Sequence, residues 1–319
     1  MEYRTATNAR PKCCGKHLFY YLRREKFHDK GYKSTMKTEA SNPLKSVLDD
    51  CETAMKGSGN EYKRDSDSSL MIELLGKRHV MAFNEDDDEF LRITASYDKD
   101  IFEGTRAECL ERVNLINQCV KVVKIFVDDD NDVAFSVEMF LDRARFFSDI
   151  FQRQIQTIDT GVSLLNSTDN AELQPNRTEN AETSGESNWL NSVLDRCEQQ
   201  LEEDEIPFNR LAHNRLLYTV AGRKIALTFE EDDLGYLSLT TVEDSRKFHC
   251  NRKKLLEVVN GINYGTKVTK AYINSDNVLV FSAEVYLNSA TDFARLLRRY
   301  SVNLIGCMRA AIRKFNLKG

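Results

Sequence analysis

The chain of 319 residues contains the same segment twice. When the sequence is shifted by 146 positions, residues 42–153 align with residues 188–299 without a gap, and 38 of the 112 positions are identical. The longest similar stretch pairs KVVKIFVDDDNDVAFSVEMFL (121–141) with KVTKAYINSDNVLVFSAEVYL (267–287). This level of identity indicates a duplicated domain, and two copies make a tandem pair rather than a solenoid.

The duplication predicts how the chain is divided. We predict a first domain at 42–165 (repeat one), a linker at 166–187 and a second domain at 188–319 (repeat two). The linker is rich in Asn, Glu, Ser and Thr and has no apolar period, which is typical of a flexible segment. Residues 1–41 form a basic leader, whose first 35 residues contain nine Lys/Arg and three Asp/Glu, a net charge of +6.

The leader has two interpretations. Cys13, Cys14, His17 and His28 are residue types that bind zinc, but their spacing matches no common zinc pattern. The leader also shows no clear amphipathic period. We therefore expect a disordered extension rather than a metal-binding arm.

Each repeat is predicted to contain the elements α-β-β-β-α-β-β-α. Apolar residues at three- and four-residue spacing indicate the helices, and short apolar runs between turn residues indicate the strands. In repeat one the predicted elements are a helix from Pro43, strands at 70–75, 79–83 and 90–94, a helix at 106–117, strands at 122–127 and 133–141, and a long final helix. Such a unit is an antiparallel sheet with packed helices, which belongs to the α+β class.

Two acidic runs, FNEDDDEFL (83–91) and FEEDDLGYL (229–237), raise the question of a metal or catalytic site. If the flanking strands pair with Phe83 opposite Leu91, the run is the tip of a hairpin. Repeat two has Leu234 where repeat one has Asp88, and no histidine is close. The run DDDND (128–132) lacks the glycine and the glutamate of a calcium loop. We interpret the runs as turns and predict no metal site.

An asparagine pair recurs in the second helix of each repeat. Asn114 and Asn117 share one helix face, as do Asn260 and Asn263. Asparagine is a mediocre helix former, so these positions need a reason. In the structural interpretation one Asn bonds to nearby backbone and the other ends the helix. In the functional interpretation the pair is a polar recognition site, and we favour the structural one.

Several classes of function are not indicated. The chain has no GxSxG, Walker A, GxGxxG or HExxH motif, and none of the three histidines after the leader recurs in the other repeat. The net charge of −5 implies no general affinity for nucleic acid, and no apolar run approaches the ~20 residues of a membrane span. We therefore expect a cytoplasmic, non-enzymatic protein with no cofactor, whose partner is neither nucleic acid nor a membrane.

Strand alternation predicts an aromatic face on each sheet. Lys124 and Glu138 lie on this face in repeat one, at the spacing of a diagonal cross-strand pair, as do Lys270 and Glu284 in repeat two. This face is either covered by a helix or is a binding surface for a partner protein. Aromatic residues are typical of such binding surfaces. Three Phe of repeat one are replaced by Tyr in repeat two, which suggests that the face of repeat two contacts water. The six aromatic residues are Phe90, Phe126, Phe140, Tyr236, Tyr272 and Tyr286.

The element order, the helix motif from Val113 to Asn117 and the aromatic-acid-acid turn resemble the YbjN-type domain, a bacterial sensory transduction regulator family. Its fold is similar to that of class I type III secretion chaperones. The resemblance covers 42–165 and 188–319 and carries over no catalytic or ligand residue. It implies a pseudo-dimer of the two copies within one chain.

These observations predict a non-enzymatic protein-binding module with a chaperone-like or regulatory role. Its partner would be a protein or peptide, bound by the six aromatic residues. The alternative is a ligand or divalent-cation sensor that uses the acidic hairpin tips.

Overall fold

The computed structural model describes residues 43–58, 61–74, 77–84, 87–141, 147–167, 187–230, 233, 235–288 and 291–316. Residues 40–319 form one compact unit that contains both repeats. The basic leader and linker residues 168–186 lie outside the described part of the chain. The predictions for both, and the proposed domain boundaries, therefore stay predictions.

Repeat one begins with a helix and continues into a six-stranded sheet. Its helices are α1 (Pro43–Ser58), α2 (Arg106–Cys119) and α3 (Phe147–Asn166). Its strands are β1 (Glu61–Ser66), β2 (Ser69–Leu74), β3 (Lys77–Asn84), β4 (Asp87–Tyr97), β5 (Lys124–Val127) and β6 (Val133–Phe140). A short 3-10 turn, Lys99–Ile101, precedes α2.

Repeat two contains the same elements in the same order. Its helices are α4 (Ser187–Glu203), α5 (Arg252–Gly265) and α6 (Phe293–Asn316). Its strands are β7 (Phe208–Ala212), β8 (Arg215–Val220), β9 (Arg223–Phe229), β10 (Tyr236–Asp244), β11 (Thr269–Ile273) and β12 (Val278–Tyr286). A 3-10 turn, Ser245–Phe248, precedes α5.

The α+β class and the duplication are confirmed. The sheets run in the orders β1-β2-β3-β4-β6-β5 and β7-β8-β9-β10-β12-β11, and neighbouring strands are antiparallel. The predicted order was wrong in one respect, because each repeat has a further strand, β1 or β7, after its first helix. Both are edge strands of mostly exposed residues, so they lack the apolar alternation that reveals a strand.

One face of each sheet forms the core with the first and third helices. The predicted hairpin register is confirmed, since Phe83 pairs with Leu91 and Met81 pairs with Ile93. All four side chains are at most 2% exposed. Within the described residues, none of the helices combines the length and apolarity that crossing a bilayer requires. The opposite sheet face near β5 and β11 is where the two repeats meet.

Candidate functional site at the interface between the repeats

The two repeats pack about a pseudo-two-fold axis. Helix α2 of repeat one lies against edge strand β11 of repeat two, and α5 lies against edge strand β5 of repeat one. The two helices also contact each other. Ion pairs link them symmetrically, because Arg106 binds Glu257 at 3.1 Å and the equivalent Arg252 binds Glu111 at 2.7 Å. The interface is therefore built twice from equivalent residues.

The recurring asparagines close the inner edge of each sheet. The Asn114 side chain donates to the carbonyl oxygen of Ile273 at 2.9 Å and accepts the N–H of Ile273 at 2.8 Å. Asn260 makes the same two bonds to Val127, at 2.7 and 2.8 Å. Each bond pair satisfies one residue of an edge strand that belongs to the other repeat, so the strand cannot pair further at that residue.

The second asparagine of each motif acts within its own repeat. Asn117 bonds to both backbone groups of Ile125 at 2.8 Å, and Asn263 bonds to those of Ala271. The structural interpretation was therefore correct for bonding to nearby backbone. It was wrong that the other Asn ends the helix, because α2 continues to Cys119 and ends with an extended residue at Val120.

A buried ion pair lies on the covered face of each sheet, as the spacing predicted. The Lys124 ammonium is 2.8 Å from the Glu138 carboxylate, and Lys270 is 2.8 Å from Glu284. Lys124 also donates to the carbonyl oxygen of Thr266, the residue that caps α5, at 2.5 Å. A cation at a helix C-terminus is favourable because it meets the negative end of the helix dipole.

The acid of each pair also contacts the other repeat. Glu138 accepts the N–H of Val268 at 2.8 Å, and Glu284 accepts that of Val122 at 2.7 Å. Both valines have positive φ, 48° and 64°, which is unusual for a β-branched residue and turns each N–H toward the carboxylate. Burial alone would raise the pKa of the Glu138 carboxyl, but Arg92 and Lys124 outweigh it and lower that pKa. The acid is therefore held ionised inside the interface.

Each acidic hairpin tip and two nearby rings form what we call a cradle. In the first cradle, the Asp87 carboxylate binds Lys267 at 2.8 Å and also pairs with Arg299. Glu89 pairs with Arg299 as well. These two cations come from repeat two and also lie over aromatic rings. Lys267 is 4.7 Å from the centroid of the Phe90 ring and Arg299 is 3.8 Å from that of Phe140.

The second cradle matches the first in its aspartate, its two cations and its two rings, while its second acid, Glu230, does not correspond to Glu89. Asp233 pairs with Lys121 at 2.7 Å and with Arg153, both from repeat one, and Glu230 also pairs with Lys121. Lys121 is 4.8 Å from the centroid of the Tyr236 ring, and Arg153 is 3.9 Å from that of Tyr286. Cation–π contacts of this kind contribute most where they are shielded from water. Each repeat thus holds one lysine and one arginine of the other.

The prediction that the acidic runs are only turns was incomplete. They do form hairpin tips, but their carboxylates also join the repeats. Burial alone would raise the pKa of Asp87, yet Lys267 and Arg299 outweigh it and lower that pKa. Among the residues that the structure describes, no group of three or more His, Cys, Asp or Glu is placed to hold a metal ion.

The six predicted partner-binding residues lie in the interface rather than on an open surface. Five of them are at most 5% exposed and Tyr272 is half-buried. Phe126 packs on Tyr264 of α5 at 5.4 Å and Phe140 packs on Tyr300 of α6 at 5.1 Å between ring centroids. The expectation that the tyrosines of repeat two face water was wrong for Tyr236 and Tyr286, because repeat one covers them. Whether these residues bind an external partner stays a prediction.

Sequence reasoning missed the cations of the cradles, although a signal was present. Lys121 and Lys267 occupy equivalent positions, as do Arg153 and Arg299, and all four lie within the aligned segment. Charged residues that are identical in two copies of a domain are candidates for a shared contact. Their carboxylate partners lie 80 to 212 positions away in the chain, so no local pattern identifies them.

The comparisons with known proteins give few matches. No family model matches the chain, and no curated protein matches it. Among solved structures the chain is similar to the crystal structure of YbjN, a candidate transcription regulator from E. coli, with 15% identity and a TM-score of 0.31. The match covers 38% of this chain and 93% of that chain. A likeness of this strength carries no argument about function, and membership of the YbjN-type family stays a prediction.

Proposed function

We propose that the chain is a non-enzymatic protein-binding module, chaperone-like or regulatory in its role, whose working unit is the intramolecular pseudo-dimer of its two repeats. The observation that supports this proposal is the uncovered outer half of the repeat-two sheet. There Val242 on β10 is 57% exposed, and Leu211 on the edge strand β7 is 55% exposed. Apolar residues exposed on one surface are typical of protein interaction sites.

The residues between these two apolar positions suit contact with a protein. By strand alternation Leu217, Thr219, Thr228 and Thr240 point to the same side, and each is half-buried. None of these four is charged, but the exposed Arg215 and Lys224 share this side, because they pair with Thr228 and Thr219. A partner would therefore cover uncharged side chains that lie beside two positive charges. A surface built on a rigid sheet is suited to binding that needs no rearrangement of the module.

The polar groups that could perform chemistry are largely engaged in the interface. Glu138 binds Lys124 and the Val268 N–H, and Asp87 binds Lys267 and Arg299. This engagement is the reason to favour binding over catalysis. It also gives the sensor alternative less support, because a divalent cation would have to displace two basic side chains at a tip.

The test is capture of partners by the tagged full chain from lysate of its own cells, followed by calorimetry with each purified partner. We would compare the wild-type chain with the Leu211→Lys/Val242→Lys variant. The control is Leu115→Lys/Thr160→Lys, which adds the same charge at exposed positions on α2 and α3. We expect a partner whose Kd rises at least about tenfold for the sheet variant and stays unchanged for the control.

Two results would contradict the proposal. The first is that no captured protein binds the purified chain. The second is that every partner binds the sheet variant as tightly as the wild-type chain. Circular dichroism and denaturation curves would establish that both variants remain folded.

A further inference from the structure

Helix α6 presents a row of arginines that has no counterpart in repeat one. The row follows steps of three or four residues, so its members share one face of the helix. It spans 19 residues, and its two ends are about 27 Å apart along the helix axis. We call this row the arginine ridge. It contains four arginines with a valine and a glycine at its centre, and its members in chain order are Arg295, Arg298, Val302, Gly306, Arg309 and Arg313.

The fold does not require this basic row. The equivalent positions of α3 include Gln152, Gln156, Thr160 and Ser163, which are exposed and uncharged. The two helices are equivalent in their repeats, and each contributes one arginine, Arg153 or Arg299, to a cradle. The pairing of the repeats accounts for Arg299 and for the contact of Arg295 with Glu89, but it does not explain Arg298, Arg309 and Arg313 on the outer surface.

Much of the ridge charge is available to a partner. Arg295 lies 3.4 Å from Glu89, and Arg309 donates to the carbonyl oxygen of Ala221 at 3.4 Å. Within the described residues, no carboxylate forms an ion pair with Arg298, Arg309 or Arg313. This concentration of positive charge is notable in a chain whose net charge is −5. It favours a partner that carries negative charge.

The centre of the ridge indicates that the partner is a protein. Val302 is 56% exposed, and a Cβ atom placed on Gly306 would meet nothing within 4 Å. An exposed valine beside an open notch can receive an apolar side chain, which a phosphate backbone does not supply. Arginine around an apolar centre is also typical of protein interfaces.

We propose that the arginine ridge of α6 is a docking surface for an acidic helix of a partner protein, with an apolar residue of that helix seated between Val302 and Arg309. This surface is separate from the uncovered sheet of repeat two. The two proposals can therefore fail independently.

The test uses fluorescence anisotropy with the full chain and a labelled helical peptide of roughly 20 residues, which carries a row of glutamates beside a row of leucines. We expect the peptide to bind the wild-type chain, and to bind more weakly as salt is added. The variant Arg298→Gln/Arg309→Gln/Arg313→Gln should bind at least about tenfold more weakly, since it removes three charged contacts. Val302→Glu should weaken binding through a different residue.

The matched control is Lys63→Gln/Arg78→Gln/Lys99→Gln, which removes three exposed charges from repeat one. Its affinity for the peptide should equal that of the wild-type chain. Equal binding by the ridge variant, or no binding by the wild-type chain, would overturn the proposal. A labelled DNA duplex of equal charge that binds more tightly than the peptide, and loses binding in the ridge variant, would assign the ridge to nucleic acid and overturn it as well.

Discussion

The guanidinium of Arg299 in repeat two lies 3.8 Å from the centroid of the Phe140 ring in repeat one. In the reciprocal contact, Arg153 of repeat one lies 3.9 Å from the centroid of the Tyr286 ring in repeat two. These two stacks are equivalent under the shift of 146 residues that relates the repeats. The aromatic face of each sheet is therefore the receptor for the basic side chains of the other repeat. Because every such contact occurs twice, the chain has the interface of a homodimer within one polypeptide.

Removal of the Arg299 side chain tests the cradle. Arg299→Ala removes the stack on Phe140 and the ion pairs of Arg299 with Asp87 and Glu89. We expect the free energy of unfolding to fall by about 1 to 3 kcal/mol, because the contacts are partly shielded from water. Urea denaturation measures this change. The control is Arg298→Ala, one position earlier on the exposed side of α6, and an equal loss there would contradict the role of the cradle.

Replacement of Asn114 tests the closure of the sheet edge. Asn114→Ala leaves the buried N–H and carbonyl oxygen of Ile273 without partners, and each unsatisfied group costs about 1 to 3 kcal/mol. We expect lower stability and, by hydrogen exchange, faster exchange of the Ile273 amide. The exposed Asn209→Ala on β7 is the control. If the Ile273 amide stays as protected as in the wild-type chain, edge closure by Asn114 is wrong.

The buried pair of Lys124 and Glu138 allows a double-mutant cycle. Lys124→Met leaves the buried Glu138 carboxylate stranded with Arg92 as its remaining basic partner, which we expect to cost about 3 to 5 kcal/mol. Adding Glu138→Leu removes that stranded charge, so the double variant should lose less stability than the two single variants combined. Arg246→Met at an exposed ion pair with Asp244 should change stability little. Additive losses from the two single variants would show that the buried charges are not coupled.

His79 makes the stability of repeat one depend on pH. Its ring is fully buried, and among the described residues neither ring nitrogen has a hydrogen-bond partner. Burial lowers the pKa of His79. Two charged neighbours act on it in opposite directions: Asp159 on α3 raises that pKa, and Lys77 on β3 lowers it. The unfolded chain therefore binds a proton below about pH 6.5 that the folded chain does not accept. Stability should fall as the pH drops from about 6.5 toward the folded-state pKa.

Repeat two has Ile225 at the position of His79, which supplies the variant for this prediction. We expect His79→Ile to raise stability by about 1 to 3 kcal/mol, because it removes an unsatisfied buried polar group. The variant should also lose the part of the acid dependence between pH 5 and 7 that His79 causes. Denaturation midpoints at several pH values measure both effects. His213→Gln, at an exposed position, is the control, and an unchanged pH profile for His79→Ile would refute the assignment.

Divalent cations distinguish the cradle from a metal site. Because the Asp87, Glu89, Glu230 and Asp233 carboxylates are paired with basic side chains, millimolar calcium, magnesium or manganese should leave Tm unchanged. Differential scanning fluorimetry with and without chelator measures the shift. A rise in Tm that disappears in Asp87→Asn would instead support the sensor alternative.

Local patterns allowed much of each repeat to be predicted before the structure was known. The pairing of Phe83 with Leu91 and the bond between Lys124 and Glu138 follow from strand alternation, which depends on neighbouring strands of one hairpin or one sheet. Strands β1 and β7 could not be predicted in the same way. An edge strand with mostly exposed residues buries too little apolar surface to impose a two-residue period on its sequence.

The candidate site was predicted only in part, and Phe90 shows why. Its place on the aromatic face of the sheet was clear from the strand pattern. That the face is covered could not be read from the pattern, because the ring meets Lys267, 177 positions further along the chain. Strand alternation assigns side chains to two faces of the sheet, but it does not determine which face is exposed to water.

The sequence by itself determined the duplication, the α+β class and the residues that share each sheet face, because these depend on identity between the copies and on short-range periods. Only the tertiary structure decided that the aromatic faces are buried, that the acidic tips bind lysine and arginine, and that Asn114 and Asn260 close the edges of the opposite sheets. The physical reason is that each of these contacts joins residues at least 80 positions apart in the chain. Their energies depend on how the repeats pack against each other, and no local pattern records that packing.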